Sequence, residues 1–117
     1  MKTWSISFFD DFEKEFDLLA QAVQDALYKA LIPLETIGPG LGRPLADTLN
    51  GSKHANMKEL RFKADDGVWR VAFAFDPNRN AILLVAGDKS GTSEKRFYKE
   101  LINKADNRFD EHLRTFK

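Results

Sequence analysis

Lys58-Glu59-Leu60-Arg61-Phe62-Lys63-Ala64-Asp65-Asp66-Gly67-Val68-Trp69-Arg70-Val71-Ala72-Phe73-Ala74-Phe75 is the stretch that decides the fold. Successive side chains of a strand point to opposite faces, so Trp69, Val71, Phe73 and Phe75 share one face while Arg70, Ala72 and Ala74 share the other. In the preceding strand, over residues 57–63, Leu60 and Phe62 are the core candidates, which sends Glu59, Arg61 and Lys63 to the opposite side. The two apolar sets coincide only if Arg61 pairs with Arg70 or a near neighbour, with Ala64-Asp65-Asp66-Gly67 as the turn. Two arginines then converge on one sheet face. Like charges directly across a sheet repel unless an anion, Glu59 or a ligand, lies between them.

Downstream, Asp76-Pro77-Asn78 marks a turn, and residues 81–86 form the continuous apolar run expected of a central strand. Gly87-Asp88-Lys89-Ser90-Gly91 follows. Thr92 or Ser93 then caps a last helix with the stripe Phe97, Leu101, Ala105 and Phe109, and with Tyr98 and Ile102 beside it. Upstream, Trp4, Ile6 and Phe8 alternate with Thr3, Ser5 and Ser7, a half-buried strand pattern. From Asp10 or Asp11, apolar residues recur at Phe12, Phe16, Leu19, Val23, Leu27 and Leu31, which predicts one long amphipathic helix ended near Pro33. Residues 38–56 are punctuated by glycine and proline and are expected to form a long loop, with a short turn around Pro44 to Leu49. The layout predicts an α+β domain: a small antiparallel sheet, with the long N-terminal helix and the C-terminal helix packed on one face and the other face partly free.

A chain of 117 residues that is 43% hydrophobic, with ten phenylalanines, can bury one ordinary core, so a single domain over residues 1–117 is expected. The absence of cysteine excludes disulfides and thiolate metal sites and fits a reducing compartment. No apolar run approaches the roughly 18 to 20 residues that span a bilayer, so a soluble, cytoplasmic protein without a membrane partner is expected. A formal net charge of zero argues against indiscriminate nucleic-acid binding. That zero conceals a split, because residues 1–36 hold three lysines against seven acids and the remainder carries the compensating excess of base. An acidic N-terminal segment beside a basic remainder permits a local anion site, although an ordinary solvated helix face explains the acidic segment equally well.

Several short motifs, taken in order, resemble the RelE/HigB-like toxins of bacterial toxin–antitoxin systems, in particular the phage-derived HigB/Tad-type branch. They are Leu41-Gly42-Arg43-Pro44-Leu45, Glu59-Leu60-Arg61, Gly67-Val68-Trp69-Arg70-Val71, Lys89 and Arg96-Phe97-Tyr98. The resemblance implies a RelE-like fold and a ribosome-dependent, metal-independent endoribonuclease acting on messenger RNA. It implies no cofactor, a helix-turn-helix (HigA-like) antitoxin as partner, and the ribosome and mRNA as targets. In such chemistry the ribose 2′-hydroxyl attacks the adjacent phosphate, which requires a base, cations for the crowded phosphorane and an acid for the departing oxygen. A sister branch of the same fold poisons DNA gyrase without cutting RNA, and a prophage remnant could keep only the fold and antitoxin binding.

Carried onto this chain, the resemblance makes Arg61, Arg70 and Lys89 phosphate-binding cations and Tyr98 the residue that orients or stacks on substrate. Arginine's planar fork suits a phosphate. Each has a structural alternative: Arg61 can pair with Glu59, Lys89 can be an exposed turn lysine, and Tyr98 borders the helix stripe where plain packing would explain it. His54, in the polar loop entering the sheet, is the histidine candidate for general acid or base. His112 looks structural. Lys53, Lys58 and Arg96 are candidate contacts to RNA or ribosome. The pattern departs from the family at Glu59, near which its strong ribonucleases often carry a lysine.

Overall fold

The computed structural model describes residues 3–116. Its elements are β1 (Ser5–Phe8), α1 (Asp10–Asp17), α2 (Gln21–Ile37), a 3-10 turn (Gly38–Gly40), β2 (Ala46–Thr48), β3 (Lys58–Ala64), β4 (Gly67–Phe75), β5 (Asn80–Asp88) and α3 (Glu94–Leu113). The five strands form one sheet in the order β1-β5-β4-β3-β2. This is the α+β architecture the sequence predicted.

The β3–β4 hairpin has the register that the apolar alternation demands, with Leu60 opposite Val71, Arg61 opposite Arg70 and Phe62 opposite Trp69. Its turn is made by Asp65 and Asp66, both left-handed at φ 52° and 63°, the conformation whose twist matches that of the flanking strands. The sheet is mixed, however, not purely antiparallel, because β1 runs parallel to β5. A parallel neighbour needs a crossover, and here α1, α2 and the β2–β3–β4 meander supply it, returning the chain beside β1 in the same direction.

The predicted single N-terminal helix is two helices. An unbroken helix over residues 10–33 would run about 36 Å, longer than the nine-residue strands. The chain turns at Leu18 to Ala20 instead, and the Gln24 amide donates to the carbonyls of Phe16 and Leu19 at 3.1 and 3.0 Å. Pro33 lies inside α2 and does not end it; the fully buried Leu34 holds the next turn in place, and the helix stops at Gly38, whose φ is 76°. The loop expected between α2 and β3 contains the edge strand β2, antiparallel to β3.

The helices cover both faces of the sheet, which corrects the one-face packing expected from sequence. Phe12, Phe16, Leu27 and Leu34 pack with Leu60, Val71, Phe73 and Leu83 on one side. On the other, Phe97, Leu101 and Phe109 of α3 pack with Met57, Ala72, Ala74, Ile82 and Leu84. Ala72 and Ala74 made this second face look open in the sequence, but their small side chains leave the volume that the α3 aromatics fill. A bulge in β5 adjusts the register: Ala72 faces Val85 and Phe73 faces Leu83, so Leu84 and Val85 both turn toward α3. No helix among the described residues is long and apolar enough to cross a membrane.

Candidate active site

Beside the first turns of α3 part of the sheet stays uncovered, and an open cleft of about 500 Å3 lies among β2, β3, β4 and that helix. Its walls include Glu59 and Arg61 of β3, Arg70 of β4, Lys89 after β5, and Glu94 and Tyr98 of α3. The pleat turns Glu59, Arg61 and Arg70 away from the α1–α2 core, and pairing Arg61 directly with Arg70 brings both guanidiniums to one place.

Glu59 is the anion between them. Its side chain is 4% exposed. Oε2 accepts hydrogen bonds from Arg61 Nε at 3.1 Å and Nη2 at 2.9 Å. Oε1 accepts from the Tyr98 hydroxyl at 2.7 Å and lies 3.5 Å from Arg70 Nε. Arg70 Nε donates to the Tyr98 oxygen at 3.2 Å, and its Nη1 donates to the Trp69 carbonyl at 3.0 Å. α3 can approach because Gly87, opposite Arg70, has no side chain: a β-carbon there would lie 2.8 Å from the Phe97 ring.

Burial alone would lower the Arg61 pKa, but the hydrogen bonds and charge of Glu59, helped by Tyr98 and Asp47, raise it above the ordinary arginine value. Burial pushes the Tyr98 phenol up, the hydrogen bond to Glu59 adds to this, and Arg70 opposes it. Tyr98 therefore stays protonated near neutrality. At the rim, Asp47 Oδ2 lies 3.3 Å from Arg61 Nη2, and Lys89 Nζ lies 3.1 Å from Glu94 Oε1. Asp88 shapes the Lys89 turn by accepting from the backbone N–H groups of Val68 and Ser90 and from the Ser90 hydroxyl.

The structure thus gathers Arg61, Arg70, Lys89 and Tyr98 and leaves the other candidates elsewhere. His54 Nε2 lies 2.8 Å from Asp110 Oδ1, and Lys53 pairs with the other oxygen of Asp110. Asp106 accepts from the Ser52 hydroxyl and the Lys53 N–H, so this group clasps the β2–β3 loop to α3. Asp110 stands twelve residues beyond Tyr98 on α3, about 18 Å along its axis. Lys58 projects to the α2 side and donates to the carbonyls of Pro39 and Leu41 at 2.8 and 3.0 Å. His112 bonds to the buried Asp76 at 2.8 Å. Arg96 is exposed on α3, about 160° around the helix from Tyr98, and lines no part of the cleft. Among the described residues no group of three or more His, Asp or Glu is placed to hold a metal ion.

Residues 14–110 match the phage-derived protein Gp49-like family (DUF891). The chain belongs to that family and is HigB-like. It is 45% identical over 101 residues to the putative toxin HigB3 of Mycobacterium tuberculosis, covering 86% of each chain. It is also 45% identical over 100 residues to the putative toxin HigB2 of the same organism, matching 85% of this chain but only 49% of that one. The chain therefore spans about half the length of HigB2. Among solved structures, a free-state mutant of the E. coli toxin RelE superposes with a TM-score of 0.59 at 16% identity, over 87% of this chain and 96% of that one. At that identity the likeness concerns the fold.

In this Gp49-like chain Glu59 is the anion that two arginines facing each other across a ladder require, as the sequence pattern allowed. What the sequence did not signal is that the same carboxylate is buried and also accepts from Tyr98, although Glu59 is where the chain departs from the family pattern. Asp47 and Glu94 gave no signal, because β2 was not expected and Glu94 belongs to an unremarkable helix start.

Proposed function

We propose that this protein is the toxin of a toxin–antitoxin pair, a single-domain, cytoplasmic, ribosome-dependent endoribonuclease that cleaves messenger RNA without a metal and is neutralised by a helix-turn-helix, HigA-like antitoxin. The observation that carries this reading is the pair of guanidiniums converging on one cleft wall beside Lys89, with a single buried carboxylate between them. Arg70 Nη2 and Arg61 Nη1 donate to no described residue and are available to a phosphate. In the reaction the ribose 2′-oxygen bonds to phosphorus and the bond to the 5′-oxygen breaks, leaving a 2′,3′-cyclic phosphate and a 5′-hydroxyl. Arg61 and Arg70 balance the charge of the phosphorane, and Lys89 faces the departing oxygen and gives it the proton that completes the 5′-hydroxyl, while the proton of the 2′-hydroxyl goes to a rim carboxylate. Tyr98, kept protonated, serves as a hydrogen-bond donor and orienting group, not as a phenolate base. Glu59 is saturated with donors and holds both cations in place. The proton acceptor is assigned to the cleft's own rim carboxylates, Asp47 and Glu94, since His54 lies at the far end of α3.

Induction in growing bacteria should arrest translation and produce transcripts with new 5′-hydroxyl ends, and an Arg70→Ala, Lys89→Ala double variant should lose both effects while remaining folded. Equal toxicity of the double variant would overturn the assigned site. Arrest with intact transcripts and relaxed or broken plasmid DNA would overturn ribonuclease activity in favour of gyrase inhibition.

A further inference from the structure

One strongly cationic surface takes no part in the cleft. Lys95, Arg96 and Lys99 are all exposed on the first half of α3 and form no ion pair with any described residue. They line a shallow groove of about 390 Å3 with Ser93, Glu100 and Asn103. By contrast, Lys89 and Arg61 in the cleft, and Lys53 and Arg108 outside it, each face a carboxylate.

At 3.6 residues per turn, Lys95, Lys99 and Arg96 stand about 60°, 100° and 160° around the helix from Tyr98, so the three lead from the flank adjoining the cleft, at Lys95, to the outward face of α3, at Arg96. Their ammonium stems, four positions apart, start about 6 Å from each other, comparable with the step from one phosphate to the next along a nucleic-acid strand. The positive end of the α3 macrodipole adds to the same potential. Even with Glu100 included, the groove keeps a surplus of positive charge.

We propose that Lys95, Arg96 and Lys99 form a track for the phosphates next to the cleaved one, carrying a single RNA strand out of the cleft along the outer flank of α3. This rests on the RNA-cleaving reading and extends it to substrate docking. A lipid surface fits less well, because the exposed large hydrophobics of the described residues, Leu18, Tyr28, Ile32, Ile37 and Leu45, all lie in the α1-to-β2 part of the chain and none borders the groove. A protein partner would find no aromatic or aliphatic anchor there, since the groove's apolar surface comes from the stems of polar and charged side chains. The phosphodiester backbone needs only cations, and its binding releases counterions.

The test uses the full chain and a fluorescently labelled single-stranded RNA oligonucleotide, with binding followed by anisotropy over a salt series. A Lys95→Ala, Arg96→Ala, Lys99→Ala variant should bind at least tenfold more weakly. Its slope of log affinity against log salt should shrink by about 2, as expected for three lost phosphate contacts on a single strand. Circular dichroism should be unchanged, since all three side chains are exposed. A wild-type slope and affinity in the triple variant would overturn the track. So would charge-dependent binding to vesicles of phosphatidylglycerol with none to RNA. RNA binding that depends on the track, with no cleavage on ribosomes by the wild-type protein, would support the track and fail the ribonuclease reading. Cleavage that survives in a triple variant of undiminished RNA affinity would do the reverse.

Discussion

Two arginine–glutamate centres sit at different places in the fold. At the sheet edge, β1 pairs only with residues 80–83 of β5, so the carbonyl of the bulged Leu84 has no strand partner. Arg108 Nη1 donates to it at 2.7 Å and to Glu15 Oε1 at 3.0 Å, while Nη2 meets Glu15 Oε2 at 2.5 Å. One cation, one carboxylate and one carbonyl balance there, and the result ties α1 to α3 around the sheet edge. In the cleft, one carboxylate serves two guanidiniums, and Asp47 contributes only a shared contact because it also lies 3.8 Å from Arg43. The comparison teaches that an arginine–glutamate pair does not by itself mark a site. Guanidinium donors beside a cleft that are left without an acceptor among the described residues do, as at Arg61 Nη1 and Arg70 Nη2.

The largest effect should come from breaking the cleft centre. Glu59→Gln keeps the shape but removes the charge, leaving Arg61 and Arg70 against each other across the ladder. Unfolding free energy should fall by about 3 kcal/mol, the low end for removing one partner of a buried ion pair, because Arg61 is 25% exposed. Growth arrest at matched soluble protein should fall at least tenfold. Chemical denaturation together with an induction assay checks both. If Glu59→Gln cost no more than Glu15→Gln and left arrest intact, the two centres would be equivalent and the contrast would collapse.

Breaking the edge centre should give a smaller and purely structural result. Arg108→Ala leaves the Leu84 carbonyl unpaired and Glu15 without its partner, at a cost of about 1 to 2 kcal/mol. Arrest per folded molecule should be unchanged, because Arg108 lines no part of the cleft. Loss of arrest in a folded Arg108→Ala protein would show that the bulge, and not the cleft alone, sets the position of Arg70.

The comparison also explains what could be read from the sequence. Period-two alternation in residues 57–75 fixed the Arg61–Arg70 pairing, because a slip of one residue would have exposed Leu60 and Val71. The α3 stripe and its Ser93 cap were equally legible, and Ser93 accepts from the Arg96 N–H at 3.2 Å. Three features had no local signal. The break between α1 and α2 depends on Gln24 reaching back to Phe16 and Leu19, the parallel β1–β5 pairing on the whole crossover, and the edge centre on Arg108 meeting residues far away in sequence. His54 looked chemical because of its intrinsic pKa, yet only tertiary packing could show that Asp110 holds it away from the cleft. The same packing made Glu59 central.

The smallest effect is a pH dependence confined to the edge. The Glu15 carboxyl is held below its ordinary pKa, first by the hydrogen bond from Arg108 and then by the Arg108 and Lys104 charges, with burial opposing. A carboxylate whose folded pKa is depressed contributes stability that is fully present above its unfolded value, about 4.3, and is lost as pH falls through the folded value. Glu15→Gln should therefore lie below the wild type by a constant margin above about pH 5, and the two should converge in more acid solution. Glu15 is 44% exposed, so solvent screening limits the margin to a few tenths of a kcal/mol up to about 1. Urea titrations at several pH values measure it. The convergence should vanish in an Arg108→Ala background, where Glu15 loses the group that depresses it. A gap that persisted there, or stayed constant down to pH 2, would mean that Arg108 is held by the Leu84 carbonyl alone and that the edge is not an ion-pair centre at all.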